Sequence, residues 1–263
     1  MGILRARNLC FAYSAVPVLK NVSFRLEKGA FLAVTGPNGS GKSTLLKLLA
    51  GLLAPQSGEA LLKGTPVAAY SPRARASIAA LVPASMQMPF DFTVYETVFM
   101  GRAPKMGWWG GARESDSRAV ESAILQLGLA SLRNRAVNSL SSGEQQKVFI
   151  AQALAQEPEI LFLDEPTSHL DITCQTGVFE LLESLSESGV AIVAVTHDIA
   201  LAARYCNEIL LLKDGSVYAQ GSPAAVITET ALTDVYGIRA ELRHAKAGIS
   251  IDIIGTSDGV FAD

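Results

Sequence analysis

The stretch Gly36-Pro37-Asn38-Gly39-Ser40-Gly41-Lys42-Ser43-Thr44 limits what this chain can fold into more than any other feature. It fits the pattern G-x-x-x-x-G-K-[ST] in full. Its surroundings also suit the mechanism. Before it, Phe31-Leu32-Ala33-Val34 is a continuous apolar run, the mark of a strand buried on both faces, and after it residues 45–49 read as an apolar helix. Glycines let successive backbone N–H groups converge on an anion with no Cβ in the way. The following helix turns its positive end to the same anion. Lys42 is within reach of the β- and γ-phosphates of a nucleotide, and Ser43 can offer its hydroxyl to Mg²⁺. Strand, phosphate loop and helix in that order predict an α/β fold with a parallel sheet.

A second element strengthens the first. Ile160-Leu161-Phe162-Leu163 reads as another doubly buried strand, with the carboxylates of Asp164 and Glu165 at its carboxyl end. Ligands of open α/β sheets bind at that edge. Asp164 is placed to hold Mg²⁺, directly or through water. Glu165 points elsewhere and could polarise a water for attack on a γ-phosphate. Strands ending in acidic turns are common, so the pair gains its meaning from the phosphate loop.

Apolar periodicity supplies the rest of the organisation. Strands are expected over 22–26, where every second residue is apolar, over 59–63, closed by Gly64-Thr65-Pro66, and over 190–195. A helical pattern over 175–187 separates strands 160–163 and 190–195, which implies parallel pairing through a helix crossover. Residues 208–212 and 217–220 read as a hairpin with Asp214-Gly215 in its turn. From about 86 to 157 buried-strand runs are few, and helices are expected over 93–101, 116–127 and 142–156. The loop 105–111 carries Trp108 and Trp109, either as a docking surface or packed beneath the loop itself. The tail from about 222 has a helical segment near 231–236 and a weak strand near 249–254. The pattern is a nucleotide-binding α/β core with a mostly helical insertion, not two independent domains.

Composition narrows the class further. Lys and Arg number 22 against 25 Asp and Glu, a net charge of −3, which removes the electrostatic case for nucleic acid. With 49% hydrophobic and 18% charged residues, the chain is too apolar for disorder and has ample material for a large core. Mean hydropathy is positive, yet apolar runs such as 190–195 fall far short of the roughly 20 residues of a membrane span. The apolarity fits either a large core or a docking face, for instance one for a membrane protein. Residues 1–7 lack the apolar run of a signal peptide, and Cys10, Cys174 and Cys206 form no metal-type pair, so a reduced cytoplasmic compartment is expected.

A phosphate loop and an acidic strand end do not distinguish kinases, GTPases and ATPases. Leu140-Ser141-Ser142-Gly143-Glu144 does. Serine and glycine at a helix start make a phosphate-ready N-terminus, while Glu144, three residues after Ser141, also makes a capping box; both can hold at once. Two anion-binding helix starts with one obvious nucleotide per chain suggest that each serves a different nucleotide in a dimer.

On these motifs the sequence resembles the nucleotide-binding subunits of ATP-binding cassette (ABC) transporters, over about residues 3–240. Residues 140–144 resemble the signature LSGGQ, with Ser142 for the first glycine and Glu144 for the glutamine. The resemblance implies a P-loop NTPase core with a parallel sheet, an N-terminal antiparallel β subdomain and a helical insertion subdomain. The cassette would cover 1–240, with its core at 1–85 and 158–221 and the insertion at about 86–157. Residues 222–263 would be a C-terminal extension packed on the core. ATP and Mg²⁺ are the implied ligands. Nucleotide would be held by Tyr13, by Gly36, Pro37, Asn38, Gly39, Ser40, Gly41, Lys42, Ser43 and Thr44, by Ser141, Ser142, Gly143 and Glu144, and by Asp171. Ser43 and Asp164 would serve the metal, and Glu165, His197 and Lys42 catalysis. Tyr13 looks like the aromatic that stacks on adenine, the alternative being a core tyrosine. Ser168-His169-Leu170-Asp171 is similar to the D-loop that crosses to the partner subunit, and His197 to the switch histidine at the γ-phosphate. One position departs from the family: where its loop glutamine follows a proline, Pro83 is followed by Ala84, and the next glutamine is Gln87.

The segments 92–94, 98–102, 167–171 and 231–238 are similar to those of bacterial importers for iron chelates, haem and vitamin B12, a pattern shared with molybdate and zinc importers. The implied protein is an ATPase that homodimerises head to tail, with each ATP between the phosphate loop of one subunit and Ser141 to Gly143 of the other. It would power transmembrane permease subunits, served indirectly by a substrate-binding protein, from the cytoplasmic face of the inner membrane, with no nucleic-acid partner. The rival reading is a non-transport cassette of DNA repair, chromosome organisation or translation. Such relatives typically carry coiled-coil insertions or two cassettes per chain. A small-molecule P-loop kinase leaves 140–144 without a role.

Overall fold

The computed structural model describes residues 2–84, 86, 88–106, 111–168, 170–245 and 248–256. At the N-terminus, β1 (Leu4–Ala12), β2 (Pro17–Leu26), β4 (Ser57–Leu62) and the short β5 (Thr65–Pro66) form an antiparallel sheet of order β2-β1-β4-β5. Alternation decides its faces. Leu4, Ala6, Val22, Phe24 and Leu26 are buried, while Arg5, Arg7 and Arg25 between them stay exposed.

The second sheet carries the phosphate loop. It comprises β3 (Phe31–Thr35), β6 (Ala79–Val82), β7 (Ile160–Asp164), β8 (Ala191–Val195), β9 (Glu208–Lys213) and β10 (Ser216–Gly221), in the order β10-β9-β3-β8-β7-β6. Neighbours from β9 to β6 are parallel, and β10 closes the edge antiparallel to β9. The continuous apolar strands follow from burial on two sides. In β3, Phe31 and Ala33 face one core and Leu32 and Val34 the other; β7, β8 and β9 divide in the same way.

The core behind Leu32 and Val34 is filled by α1 (Lys42–Leu49) and the antiparallel sheet. After α2 (Pro72–Ala76) and β6, the insertion contributes α3 (Val94–Met100), α4 (Glu114–Gln126) and α5 (Ser142–Ala155). With α6 (Ile172–Glu187) and α7 (Ile199–Tyr205) they fill the other core. Buried Arg102 ties the insertion together: its Nε donates to Asp116 Oδ1 at 2.9 Å, and its Nη1 to Glu157 Oε2 at 2.8 Å and to the Ala155 carbonyl at 2.6 Å. Among the described residues no helix is long and apolar enough to cross a membrane.

The tail is more ordered than its sequence pattern suggests. After α8 (Pro223–Val226) and α9 (Glu229–Tyr236), β11 (Ile238–Ala245) and β12 (Gly248–Thr256) make a separate antiparallel hairpin. Ile238, Leu242, Ile249 and Ile251 pack it onto the core that holds α6 and α7. Helix α6 begins at Ile172, three residues ahead of the periodic pattern, because the Asp171 side chain caps it by accepting from the Cys174 N–H at 2.8 Å. Gln87, His169, Trp108 and Trp109 lie outside the described residues.

Candidate functional site

The carboxyl ends of β3, β7 and β8 lie side by side, because Val34 and Asp164 both pair with Val195. The segments that follow therefore converge on one edge: the phosphate loop after Thr35, Asp164-Glu165 at the end of β7, and Thr196-His197 after β8. The loop is tightly held where it begins. Gly36 has φ 145°, and a Cβ there would lie 2.2 Å from the Leu212 carbonyl oxygen and 2.9 Å from Ser40 Oγ, so no larger residue fits. At the far end Gly41 caps α1 without a side chain, which leaves the first N–H groups of that helix open to an anion. Ser40 Oγ is buried with no hydrogen-bond partner.

Lys42 folds over this loop, its Nζ donating to the carbonyls of Gly36 (2.8 Å) and Pro37 (2.9 Å). Burial pulls its ammonium below the usual lysine value, against the opposing charges of Glu165 and Asp164. Ser43 Oγ donates to Asp164 Oδ1 at 2.9 Å, across 121 residues of sequence. Burial raises the Asp164 carboxyl above the ordinary carboxylate range; the Ser43 hydrogen bond opposes this and the Glu165 charge adds to it. A hydroxyl and a desolvated carboxylate beside an anion-binding loop form a hard oxygen donor set that a divalent cation fits. Among the described residues no three His, Cys, Asp or Glu side chains gather as a metal site.

Glu165 sits in the left-handed region (φ 49°), unusual for a residue with a side chain. Its N–H donates to the Val195 carbonyl at 3.0 Å, and its carbonyl accepts from Ser168 N and Oγ at 3.1 and 3.0 Å. This turn separates its side chain from that of Asp164 and brings Oε1 to 2.5 Å from His197 Nε2. Lys42, Ser43, Asp164, Glu165 and His197 thus share one site. Tyr13 is exposed (62%), which removes the core-tyrosine alternative; Phe11 packs edge-on to its ring, and its hydroxyl lies 3.3 Å from Thr44 Oγ1.

The remaining motifs gather elsewhere on the protomer. Ser141 and Glu144 form the reciprocal capping box of α5, with Glu144 Oε2 accepting from Ser141 N at 2.9 Å and Oγ at 2.8 Å. A Cβ on Gly143 would lie 2.8 Å from Cys174 Sγ, so the starts of α5 and α6 are pressed together. The segment 141–144 and Asp171 therefore flank one surface. Among the described residues neither hydrogen-bonds to the phosphate loop within the protomer. One contact carried no readable signal in the sequence: the hydroxyl of Tyr236, from α9, lies 2.8 Å from Thr35 Oγ1, 201 residues away.

This fold and site define a P-loop ATPase of the cassette type. A family model described as ABC transporter matches residues 19–168. The hemin import ATP-binding protein HmuV of Thermobifida fusca is 40% identical over 252 residues, 95% of this chain and 87% of the relative. The uncharacterized ABC transporter ATP-binding protein YvrA of Bacillus subtilis is 42% identical over 235 residues, 89% of this chain, which spans about half (53%) of that relative's length. A solved structure described as a metal-chelate type ABC transporter, inward-facing, superposes with a TM-score of 0.84 at 30% identity, covering 97% of this chain and 98% of its own. The chain belongs to the ABC transporter family.

Proposed function

We propose that two copies of this chain close head to tail on two ATP molecules and that their hydrolysis drives a transmembrane importer. The observation that carries this is the separation of the two anion-binding surfaces. The phosphate loop, Asp164, Glu165 and His197 stand at one edge, and among the described residues the start of α5 hydrogen-bonds to none of them within the protomer. A second copy can supply Ser141 to Gly143 to the open side of the nucleotide, and Asp171 with them. Tyr13 would stack on adenine, the N–H groups of Gly36 to Thr44 with Lys42 would hold the phosphates, and Glu144 would fix the α5 start through its capping box.

In hydrolysis Glu165 orients and deprotonates the attacking water, His197 holds Glu165 and reaches the γ-phosphate, and Lys42 leaves the loop carbonyls for the phosphate oxygens. Mg²⁺, held by Ser43 and phosphate oxygens with Asp164 behind it, would offset the charge of the transferred group. Residues 1–240 act as the cassette, with 222–263 as its extension. The chain would sit peripherally on the cytoplasmic face of the membrane, bound to permease subunits that a substrate-binding protein supplies. The names of the hemin and metal-chelate relatives favour an iron chelate, haem or cobalamin as cargo.

Glu165→Gln tests the reading. Hydrolysis should fall about 10²–10⁴-fold while ATP binding persists, so that an ATP-bound dimer accumulates in sedimentation. Ser141→Arg, which crowds the partner's γ-phosphate, should abolish that dimer. Wild-type turnover in Glu165→Gln removes Glu165 from its role, and a dimer that ignores nucleotide refutes the shared-site arrangement.

A further inference from the structure

We propose that Tyr236 is a positioning residue for the phosphate loop, its hydroxyl fixing Thr35 where the loop leaves β3 and so tying nucleotide affinity to the C-terminal extension. The proposal rests on the reading of Gly36 to Thr44 as a nucleotide site.

Thr35 is fully buried, and Tyr236 supplies its hydroxyl partner at 2.8 Å. Burial raises the phenol pKa, with Thr35 opposing, so the group keeps its proton and can give or accept the bond to Thr35. Tyr236 thus anchors the residue just before Gly36, which itself lies against the Leu212 carbonyl and Ser40 Oγ. What it holds matters, because the carbonyls of Gly36 and Pro37 are the two that seat the Lys42 ammonium. A shift at the loop's base is passed directly to the N–H groups and the lysine that meet phosphate.

The hydroxyl is aimed by a stiff support. Gly237, at φ 66°, ends α9, and Thr233 Oγ1 ties back to the Ile238 carbonyl at 3.0 Å. On the outer, exposed side of α9, away from this hydroxyl and no part of its support, Tyr218 donates to Asp234 Oδ2 at 2.8 Å. The Tyr236 ring shares a small apolar pocket with Ile209, Leu211, Val226 and Leu232. Phenylalanine would serve that pocket equally well. A hydroxyl withdrawn from water in this way needs a partner, and the partner here, Thr35, lies at the base of the loop.

Tyr236→Phe keeps the ring and removes the contact. ATP affinity, read by fluorescent-nucleotide titration, should weaken about three- to tenfold, with KM rising by the same factor and kcat within about twofold. Thr35→Val removes the same contact from the strand and should match it, the double variant being no worse than either single. Because coupling is reciprocal, nucleotide should slow amide hydrogen exchange in residues 229–245 of the wild type, and Tyr236→Phe should lose that protection. Tyr218→Phe, which loosens α9 away from the loop, should change neither readout. Unchanged affinity in both Tyr236→Phe and Thr35→Val overturns the proposal. So does an equal loss in Tyr218→Phe, which would mean general loosening. If Tyr236→Phe fails to fold, Thr35→Val decides alone. A wild-type protein that binds no ATP overturns the nucleotide reading itself, a result distinct from normal binding in the variants.

Discussion

Asp164→Asn should make the empty protein more stable and its nucleotide complex less so. Asp164 is partly buried beside Glu165, and burial has pushed its carboxyl upward. The neutral amide has nearly the same shape and can still accept from Ser43. Relieving such a cost typically adds about 0.5–1 kcal/mol. For a chain of this size that is about 1–4 °C in Tm. With Mg–ATP at 100 times its Kd, the wild type gains about 2.7 kcal/mol, and a tenfold weaker variant at the same concentration gains about 1.4 kcal/mol. The loss of about 1.3 kcal/mol exceeds the gain in the empty state, so the order of the two melting curves reverses on adding Mg–ATP. The pH dependence has a definite sign. A raised folded-state pKa favours folding while the group is protonated, and that advantage is lost as pH rises through the folded value. The Tm gap between variant and wild type without nucleotide should therefore be small below about pH 4 and open toward neutrality. Differential scanning fluorimetry with and without Mg–ATP across this range gives the answer. An empty variant less stable than wild type at neutral pH, or a gap that ignores pH, would refute the reasoning.

The insertion and the loop after β6 give three more tests. Arg102→Ala leaves Asp116 buried without its partner and should cost about 3–5 kcal/mol in denaturant unfolding, whereas Arg102→Met should recover part of this; equal stability of Arg102→Ala and wild type would show that the cluster is idle. The Arg113 backbone amide first, and then Arg102, hold the Asp116 carboxyl below its usual range, so its contribution is present at neutral pH and lost as pH falls through the lowered value. Asp116→Asn should thus be destabilised at neutral pH and converge with the wild type in acid. Ala84 has no side-chain oxygen to offer a metal or a water, and Mg²⁺ readily keeps waters in its shell. Ala84→Gln should therefore alter ATPase activity more when permease subunits are present than when they are absent, and equal effects in both would remove the coupling role from that position.

The strand runs 31–34, 160–163 and 190–195 were legible because burial on two faces leaves only apolar residues to write there. The phosphate loop and the capping box at Ser141 were legible for a similar reason: each is complete within nine residues or fewer and demands its own residue types. Strand β1 was not, because its register with β2 shifts between Ala6 and Leu9, where Arg7 and Asn8 interrupt the alternation. Helix α7 and strand β11 were too short or too mixed to stand out against their neighbours. Sequence named Ser43, Asp164, Glu165 and His197 as candidates. Only the folded sheet put Ser43 against Asp164 and His197 against Glu165, and only it carried the tail back so that Tyr236 meets Thr35. Periodicity reports whether a residue faces core or solvent, a property of its own element. Which side chains touch across an edge depends on strand order and register, and those are decided by how distant segments pack.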